Sequence, residues 1–217
     1  MKIKWYGHAA FMITSDQGVR IITDPYESGA FGGALSYRKI PDEADVVTVS
    51  HDHADHYTSP LKGKPQIINK EGKFTEKGIE FLGIHTFHDP SKGKERGKNL
   101  LFCFTIDGIK VCHCGDLGHR LSKDELRQIG KVDLILIPVG GFYTLEPPDA
   151  IKVCQDINPG LIIPMHYKTE KCNFPIVGVE EFLKGWKEIR RMTSSETELE
   201  AKKLPSKTEV IVLQHAL

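Results

Sequence analysis

No sign of charge dominates this chain: 29 Lys and Arg balance 29 Asp and Glu over 217 residues. There is thus no global basic field of the kind that draws in nucleic acid or anionic membranes, and a nucleic-acid partner is not expected. Long apolar runs are missing as well. No stretch would span a bilayer, and the charged start Met1-Lys-Ile-Lys-Trp-Tyr-Gly-His8 is not followed by the apolar core of a secretory signal. The expectation is a cytoplasmic protein with no membrane partner. Cysteine is sparse and odd in number: Cys103, Cys112, Cys114, Cys154 and Cys172 sit mostly inside apolar segments, which argues for reduced thiols rather than a disulfide framework. No repeat, low-complexity tract or linker breaks the chain, so one domain over residues 1–217 is expected. Two chemistries are absent by motif. There is no Gly-x-Ser-x-Gly elbow to present a serine nucleophile, and the glycine-rich stretch Glu27 to Gly33 lacks the Lys-Ser/Thr that would make it a phosphate loop.

What is present is a succession of short β-type runs with a few helices. Strands are expected at Lys2 to Tyr6, Ala10 to Thr14 and Val19 to Thr23, the last ended by Asp24-Pro25. The β-branched run Asp45 to Ser50 reads as a buried strand that feeds directly into His51. Further strands are expected at Gln66 to Asn69, Ile79 to Phe87, and Leu100 to Ile106 with Ile109 to Cys114, the last two joined by the hairpin signal Asp107-Gly108. Ser122-Lys-Asp-Glu125 is a capping box opening a short helix that stops at Gly130. Strand Val132 to Val139, helix Pro148 to Ile157, strand Leu161 to Met165 and a closing strand Glu209 to Leu213 complete the reading. Val179, Phe182, Leu183, Trp186 and Ile189 fall at helical spacing. His51, His88, Asp116 and His166 each follow an apolar β-type segment, and strand ends on one edge of a sheet can converge on one site.

His51-Asp-His53-Ala-Asp55-His56 packs three imidazoles and two carboxylates into six residues. Neutral imidazole and carboxylate suit zinc and related first-row ions. In extended chain His51 and His53 point to the same side and can chelate one ion, while Asp55 and His56, carried by the turn beyond, can reach a second.

The same residues resemble the signature of the metallo-β-lactamase superfamily. The resemblance continues through Gly7-His8-Ala9, Thr23-Asp24-Pro25, Phe87-His88-Asp89, Gly115-Asp116-Leu117-Gly118-His119, Pro138-Val139-Gly140-Gly141 and Pro164-Met165-His166-Tyr167. In that order the motifs look like the branch of small metal-dependent hydrolases related to ascorbate-lactonase-like proteins. The resemblance implies a mixed α/β (α+β) fold, a four-layer αββα sandwich with metals at one edge between the sheets. It implies His51, His53 and His88 as ligands of a first divalent metal, Asp55, His56 and His166 as ligands of a second, and Asp116 as the bridge. Zn²⁺ leads, with Mn²⁺ or Fe²⁺ as alternatives. An iron-dependent redox branch tends to carry glutamate where this chain has His53, so hydrolysis leads over redox chemistry. A hydroxide shared by the two ions, with its pKa lowered towards about 7, is the nucleophile such a site supplies.

Around that set, Asp24 is expected to accept the free ring N–H of a ligand histidine, or to serve only as a turn residue before Pro25. His8 stands between a role at the site and a role in its turn. His119 stands between a proton donor to the leaving group and no role. With Asp55 and Asp116 these are the candidate catalytic groups. His113 reads as core between its flanking cysteines, and His85 and His215 as structural or exposed. Lys92, Lys94, Arg96 and Lys98 form either a solvated loop or a cover that attracts an anionic substrate. Tyr167, Lys168 and Thr169 are candidates for the pocket wall. The functional expectation is hydrolysis of a small ester, lactone or phosphodiester. A nuclease of the same fold and a non-catalytic metal or ligand sensor are the alternatives, and a homo-oligomer is compatible with the sequence.

Overall fold

The computed structural model describes residues 1–59 and 61–217. Two mixed sheets form its centre. The first runs through β1 (Lys2–Gly7), β2 (Ala10–Thr14), β3 (Arg20–Thr23), β4 (Val46–Thr48), β5 (Gln66–Ile68) and β13 (Glu196–Glu198), in the order β13-β1-β2-β3-β4-β5. The second contains β6 (Gly72–Glu76), β7 (Ile79–Phe87), β8 (Lys98–Ile106), β9 (Ile109–His113), β10 (Leu134–Pro138), β11 (Leu161–Met165), β12 (Ile189–Arg191) and β14 (Glu209–Val212), in the order β12-β14-β11-β10-β9-β8-β7-β6.

Alternation along the strands of the first sheet explains how it is covered on both faces. Ile3, Trp5, Phe11, Ile13, Ile21 and Val46 join the core shared with the second sheet. Their neighbours Tyr6, Ala10, Met12, Ile22 and Val47 point the other way, into a second apolar cluster with Tyr26, Leu35, Tyr37 and Ile40. That outer layer is mostly irregular chain. Its single helical turn, α1 (Ala30–Gly33), contains left-handed Phe31 and Gly32 at φ 54° and 65°. On the second sheet the outer layer is helical. α3 (Pro147–Ile157) turns Ala150, Val153 and Cys154 inward, packing on β10 and on α4 (Glu180–Leu183). α2 (Lys123–Ile129) opens with the expected Ser122–Glu125 capping box. The four layers of the αββα sandwich are thus present, the first of them nearly without helix. No helix among the described residues is long and apolar enough to cross a membrane.

Three local readings need correction. The apolar spacing from Val179 to Ile189 is not one helix: α4 covers only Glu180–Leu183, and Ile189 is exposed on edge strand β12. A Cβ at Gly185 would lie 2.6 Å from Ile151 Cδ1, so the chain turns there in close contact with α3. β6, with few apolar residues, gave no alternation to read, yet it pairs along β7 as an edge. β13, in the charged tail, likewise pairs only at an edge, on β1.

Candidate metal centre

The predicted ligands lie where strands from both sheets end. His8 occupies the tight turn between β1 and β2, Asp24 follows β3, and His51 to His56 follow β4; His88, Asp116 and His166 follow β7, β9 and β11. His8, Asp24 and His166 adopt positive φ of 52°, 40° and 51°, a conformation disfavoured for residues with a side chain. Such positions cluster at functional sites, where the surrounding fold holds the strain. The loops approach closely. A Cβ at Gly115 (φ 51°) would sit 2.4 Å from Ser50 Cβ, and one at Gly118 would sit 2.3 Å from the carbonyl carbon of His88. Only glycine lets the Asp116 loop press against the His51 and His88 segments in this way.

The seven residues His51, His53, Asp55, His56, His88, Asp116 and His166 come together. Ligand atoms of His51, His53 and His88 lie within 4.8 Å of one another, as do those of His51, His56 and Asp116, and those of His8, Asp55, His56 and His166. Asp116 stands between the groups. Its Oδ1 is 3.0 Å from His56 Nε2 and 3.4 Å from His166 Nε2, while its Oδ2 is 3.1 Å from His88 Nε2 and 3.8 Å from His51 Nε2. The residues fit metal ions on a second count. His51 Nε2, Asp55 Oδ1, His56 Nε2, Asp116 Oδ1 and His166 Nδ1 are buried without a hydrogen-bond partner. A buried polar atom left unpaired costs roughly 1–3 kcal/mol, so a cluster of them in one place calls for a cationic occupant. His56 Nε2 thus approaches Asp116 Oδ1 without an aligned hydrogen bond.

The opposite ends of these side chains are tied down. Asp24 Oδ1 accepts the Ser50 backbone N–H at 2.8 Å, and Oδ2 accepts the Ser50 hydroxyl at 2.6 Å and His56 Nδ1–H at 2.7 Å. Because the Ser50 proton goes to Asp24, His51 Nδ1 donates to Ser50 Oγ at 2.9 Å. One carboxylate thus orients two imidazoles, directly for His56 and through Ser50 for His51, leaving both Nε2 atoms facing inward. His88 Nδ1 donates to the Tyr143 carbonyl at 3.1 Å. Asn99 Oδ1 accepts the Asp116 backbone N–H at 2.9 Å, and its amide donates to Thr86 Oγ1 and the Cys114 carbonyl. His8 Nε2 donates to Asp55 Oδ2 at 3.1 Å, leaving its own Nδ1 bare. Burial and the neighbouring His166 push His8 down to about 4, so it is neutral at pH 7. Burial and His56 push His51 to about 3.

The carboxylates go the other way. Burial opposes their charge, yet His113 and His56 hold Asp24 low, His56 and His8 hold Asp55 low, and His166, His56 and His88 hold Asp116 well below the usual range. Groups depressed on folding contribute stability that is complete above their unfolded value of about 4 and lost as pH falls through the lower folded values. Metal-free protein unfolded by urea should therefore lose stability between about pH 5 and about pH 2. A flat profile over that interval would contradict the assignment of these three as buried carboxylates.

Several expected residues are not brought to the site. His119 lies outside the cavity; its Nδ1 donates to the Arg120 carbonyl and its Nε2 accepts the Phe87 backbone N–H, so both ring nitrogens are engaged and it is not placed to protonate a leaving group. Tyr167 packs at a tilt against Trp5 in the core, Lys168 binds the Phe174 carbonyl, and Thr169 meets the Tyr37 hydroxyl. None of the three lines the cavity over the metal ligands. His113 is core, as expected, with Nε2 donating to the Ala9 carbonyl. His215 pairs with Glu170, and His85 packs against Phe87. The cavity, of about 330 Å³, is walled instead by Phe31, Tyr143, Phe174, Glu95 and Arg96 above His53, Asp55, His88, Asp116 and His166. Of these wall residues the sequence singled out only Arg96; a lone aromatic in a loop carries no pattern. Ser50 and Asn99 were also missed, although a polar residue inside an apolar strand run, such as Asn99, is a signal that could have been used.

A four-layer sandwich with a cluster of buried imidazole and carboxylate groups at the strand ends between its sheets defines a metallohydrolase-type protein of the β-lactamase class. The chain belongs to this superfamily: the profile of the beta-lactamase superfamily domain matches residues 2–166. A metal-dependent hydrolase of Methanoculleus marisnigri is 29% identical over 89% of this chain and 91% of its own length. A protein of Thermotoga maritima, described provisionally as a Zn-dependent hydrolase of the metallo-beta-lactamase superfamily, has a solved structure. It is 38% identical with a TM-score of 0.81, over 98% of this chain and 97% of that one. A metallo hydrolase of Ignicoccus hospitalis shares the fold at 23% identity and a TM-score of 0.64, over 84% and 88% of the two chains.

Proposed function

We propose that the protein is a dinuclear metal-dependent hydrolase, most simply a zinc enzyme, acting on a small ester, lactone or phosphodiester. The observation that carries this reading is the convergence of imidazole nitrogens from two histidine groups on the two oxygens of Asp116, in a cluster with several buried polar atoms left unpartnered. His51, His53 and His88 would hold one ion, Asp55, His56 and His166 the other, and Asp116 both. Bound there, the ions would supply Lewis acidity and a water of lowered pKa. The chain's own part is to hold the ligands in place. Asp24, Ser50 and the Tyr143 carbonyl fix which imidazole nitrogen faces inward, and His8 holds Asp55 by one oxygen so that the other stays free. The cavity volume suits a small molecule, and the matched relatives are described as metal-dependent hydrolases. The five cysteines are free and buried, in keeping with a reducing, cytoplasmic setting.

The test begins with metal content. Protein purified without chelator, or stripped and reloaded with Zn²⁺, Mn²⁺ or Fe²⁺, should hold close to two equivalents by elemental analysis and should hydrolyse at least one member of a panel of aryl esters, lactones and bis-aryl phosphates. Failure to bind any of the three ions would sink the dinuclear reading. Two equivalents without turnover across the panel would overturn the hydrolase reading in favour of a metal or ligand sensor.

A further inference from the structure

Of the four cations that follow His88, only Arg96 lines the cavity; Lys92, Lys94 and Lys98 are exposed outside it. The reason is a loop wound around one buried carboxylate. Asp89 Oδ1 accepts the backbone N–H groups of Ser91 and Gly93 at 2.8 and 3.0 Å, and Oδ2 accepts those of Glu95 and Arg96 at 3.1 and 2.8 Å. Four backbone donors satisfy Asp89, so it takes no bond from the Arg96 side chain. The guanidinium lies with Cζ 5.8 Å from the centre of the Tyr143 ring, and its one polar contact among the described residues is a long one, 3.5 Å from Nη1 to Glu95 Oε2. Glu95 is itself shared, its Oε1 accepting the Ser91 hydroxyl. A guanidinium beside an aromatic face keeps its in-plane donors for a carboxylate or phosphate.

The wall beside it is apolar. Phe174 meets Phe31 and Tyr143 edge-on at 5.5 and 5.7 Å between ring centres. Phe31 is 56% exposed, held over the cavity on left-handed backbone. Together the three rings give one side of the cavity an apolar wall of the kind that takes the apolar part of a small ligand.

We propose that Arg96 is the anion-binding residue of this cavity, that Asp89 positions it, and that the substrate is a small molecule carrying both an anionic group for Arg96 and an apolar group for the Phe31–Phe174–Tyr143 wall. This deepens the hydrolase reading by naming the substrate class, but its test needs no turnover. Calorimetric titration of the zinc-loaded protein with phenylsuccinate, 3-phenylpropionate and succinate compares a ligand having ring and two carboxylates with ligands lacking one carboxylate or the ring. Phenylsuccinate should bind about tenfold tighter than either, the scale of one charge-assisted hydrogen bond or one packed ring. Arg96→Ala should abolish the advantage over 3-phenylpropionate and leave the advantage over succinate; Phe31→Ala should do the reverse. Asp89→Asn, with two of its four N–H groups facing an amide, should lower the dianion advantage and speed amide hydrogen exchange over residues 91–97, with zinc content unchanged. Glu95→Gln should strengthen phenylsuccinate. If phenylsuccinate fails to bind, or if its advantage survives Arg96→Ala within twofold, the assignment is wrong. If the advantages behave as stated while no ester, lactone or phosphodiester is cleaved, the recognition site stands and the hydrolase reading falls.

Discussion

Asp116→Ala should give a folded protein that holds one metal equivalent in place of two and turns over at least about a hundredfold more slowly, the scale on which misplaced catalytic groups act. The geometry gives the reason. Each oxygen of this carboxylate faces a different histidine group, so removing it cuts the one side chain that both groups share. The loop should survive, because the Asp116 backbone N–H still donates to Asn99 and Gly118 still rests on the His88 backbone. His51, His53 and His88 keep enough donors for one ion. Cys112→Ala, in the strand leading to the same loop, should leave turnover within a few-fold, which separates damage to the site from damage to the sheet. If Asp116→Ala keeps both metals and near-full turnover, the bridge must be sought elsewhere. His8, whose bare Nδ1 is buried beside Asp55, His56 and His166, would be the first to test.

Asp24→Ala should cost both stability and metal affinity. The substitution strands the Ser50 N–H, the Ser50 hydroxyl and His56 Nδ1–H, all buried. Breaking a buried charge-assisted set from one side costs about 3–5 kcal/mol, which in a chain of this size lowers Tm by on the order of 10 °C. Freed of Asp24, His56 and His51 can turn or change tautomer, so zinc affinity should also fall, by roughly ten- to a hundredfold. Asp24→Asn, which keeps one acceptor oxygen, should sit between wild type and alanine on both scales. Urea unfolding of the metal-free variants gives the first number and competition with a chromophoric chelator the second. A cost under about 1 kcal/mol with unchanged zinc affinity would reduce Asp24 to the turn residue before Pro25.

The two variants also mark what could be read in the sequence and what could not. The residues that the structure brings together were legible because His51, His88, Asp116 and His166 each come just after an apolar β run, and because His51 to His56 put four of the seven in one short segment. Strands inside the sheets were legible for a related reason: runs such as Leu134–Pro138 and Leu161–Met165 are buried along their whole length. β6 and β13 are edge strands held by pairing with one neighbour, and unlike the edge strand β5, with its two isoleucines, their own composition had no pattern to show. Hydrogen-bond partners are harder still. Nothing in the local sequence says that Ser50 passes the influence of Asp24 to His51, or that the Tyr143 carbonyl holds His88, since both depend on distant loops meeting. The open reading of His119 has the same origin. Its spacing from Asp116 suggested proximity, but its ring nitrogens are engaged by the Phe87 N–H and the Arg120 carbonyl.

The position of the site between the sheets has a mechanical consequence. His51, His53, Asp55 and His56 hang from the first sheet, His88, Asp116 and His166 from the second, and the chain has five thiols but no disulfide to tie these halves. Ions held jointly by both would act as a rivet across the sandwich, closing a loop that runs from the fourth strand to the eleventh. In such a protein the cofactor and the fastener are one object, and the edge of the sandwich that does the chemistry is also the edge along which it would first come apart when the ions are taken away.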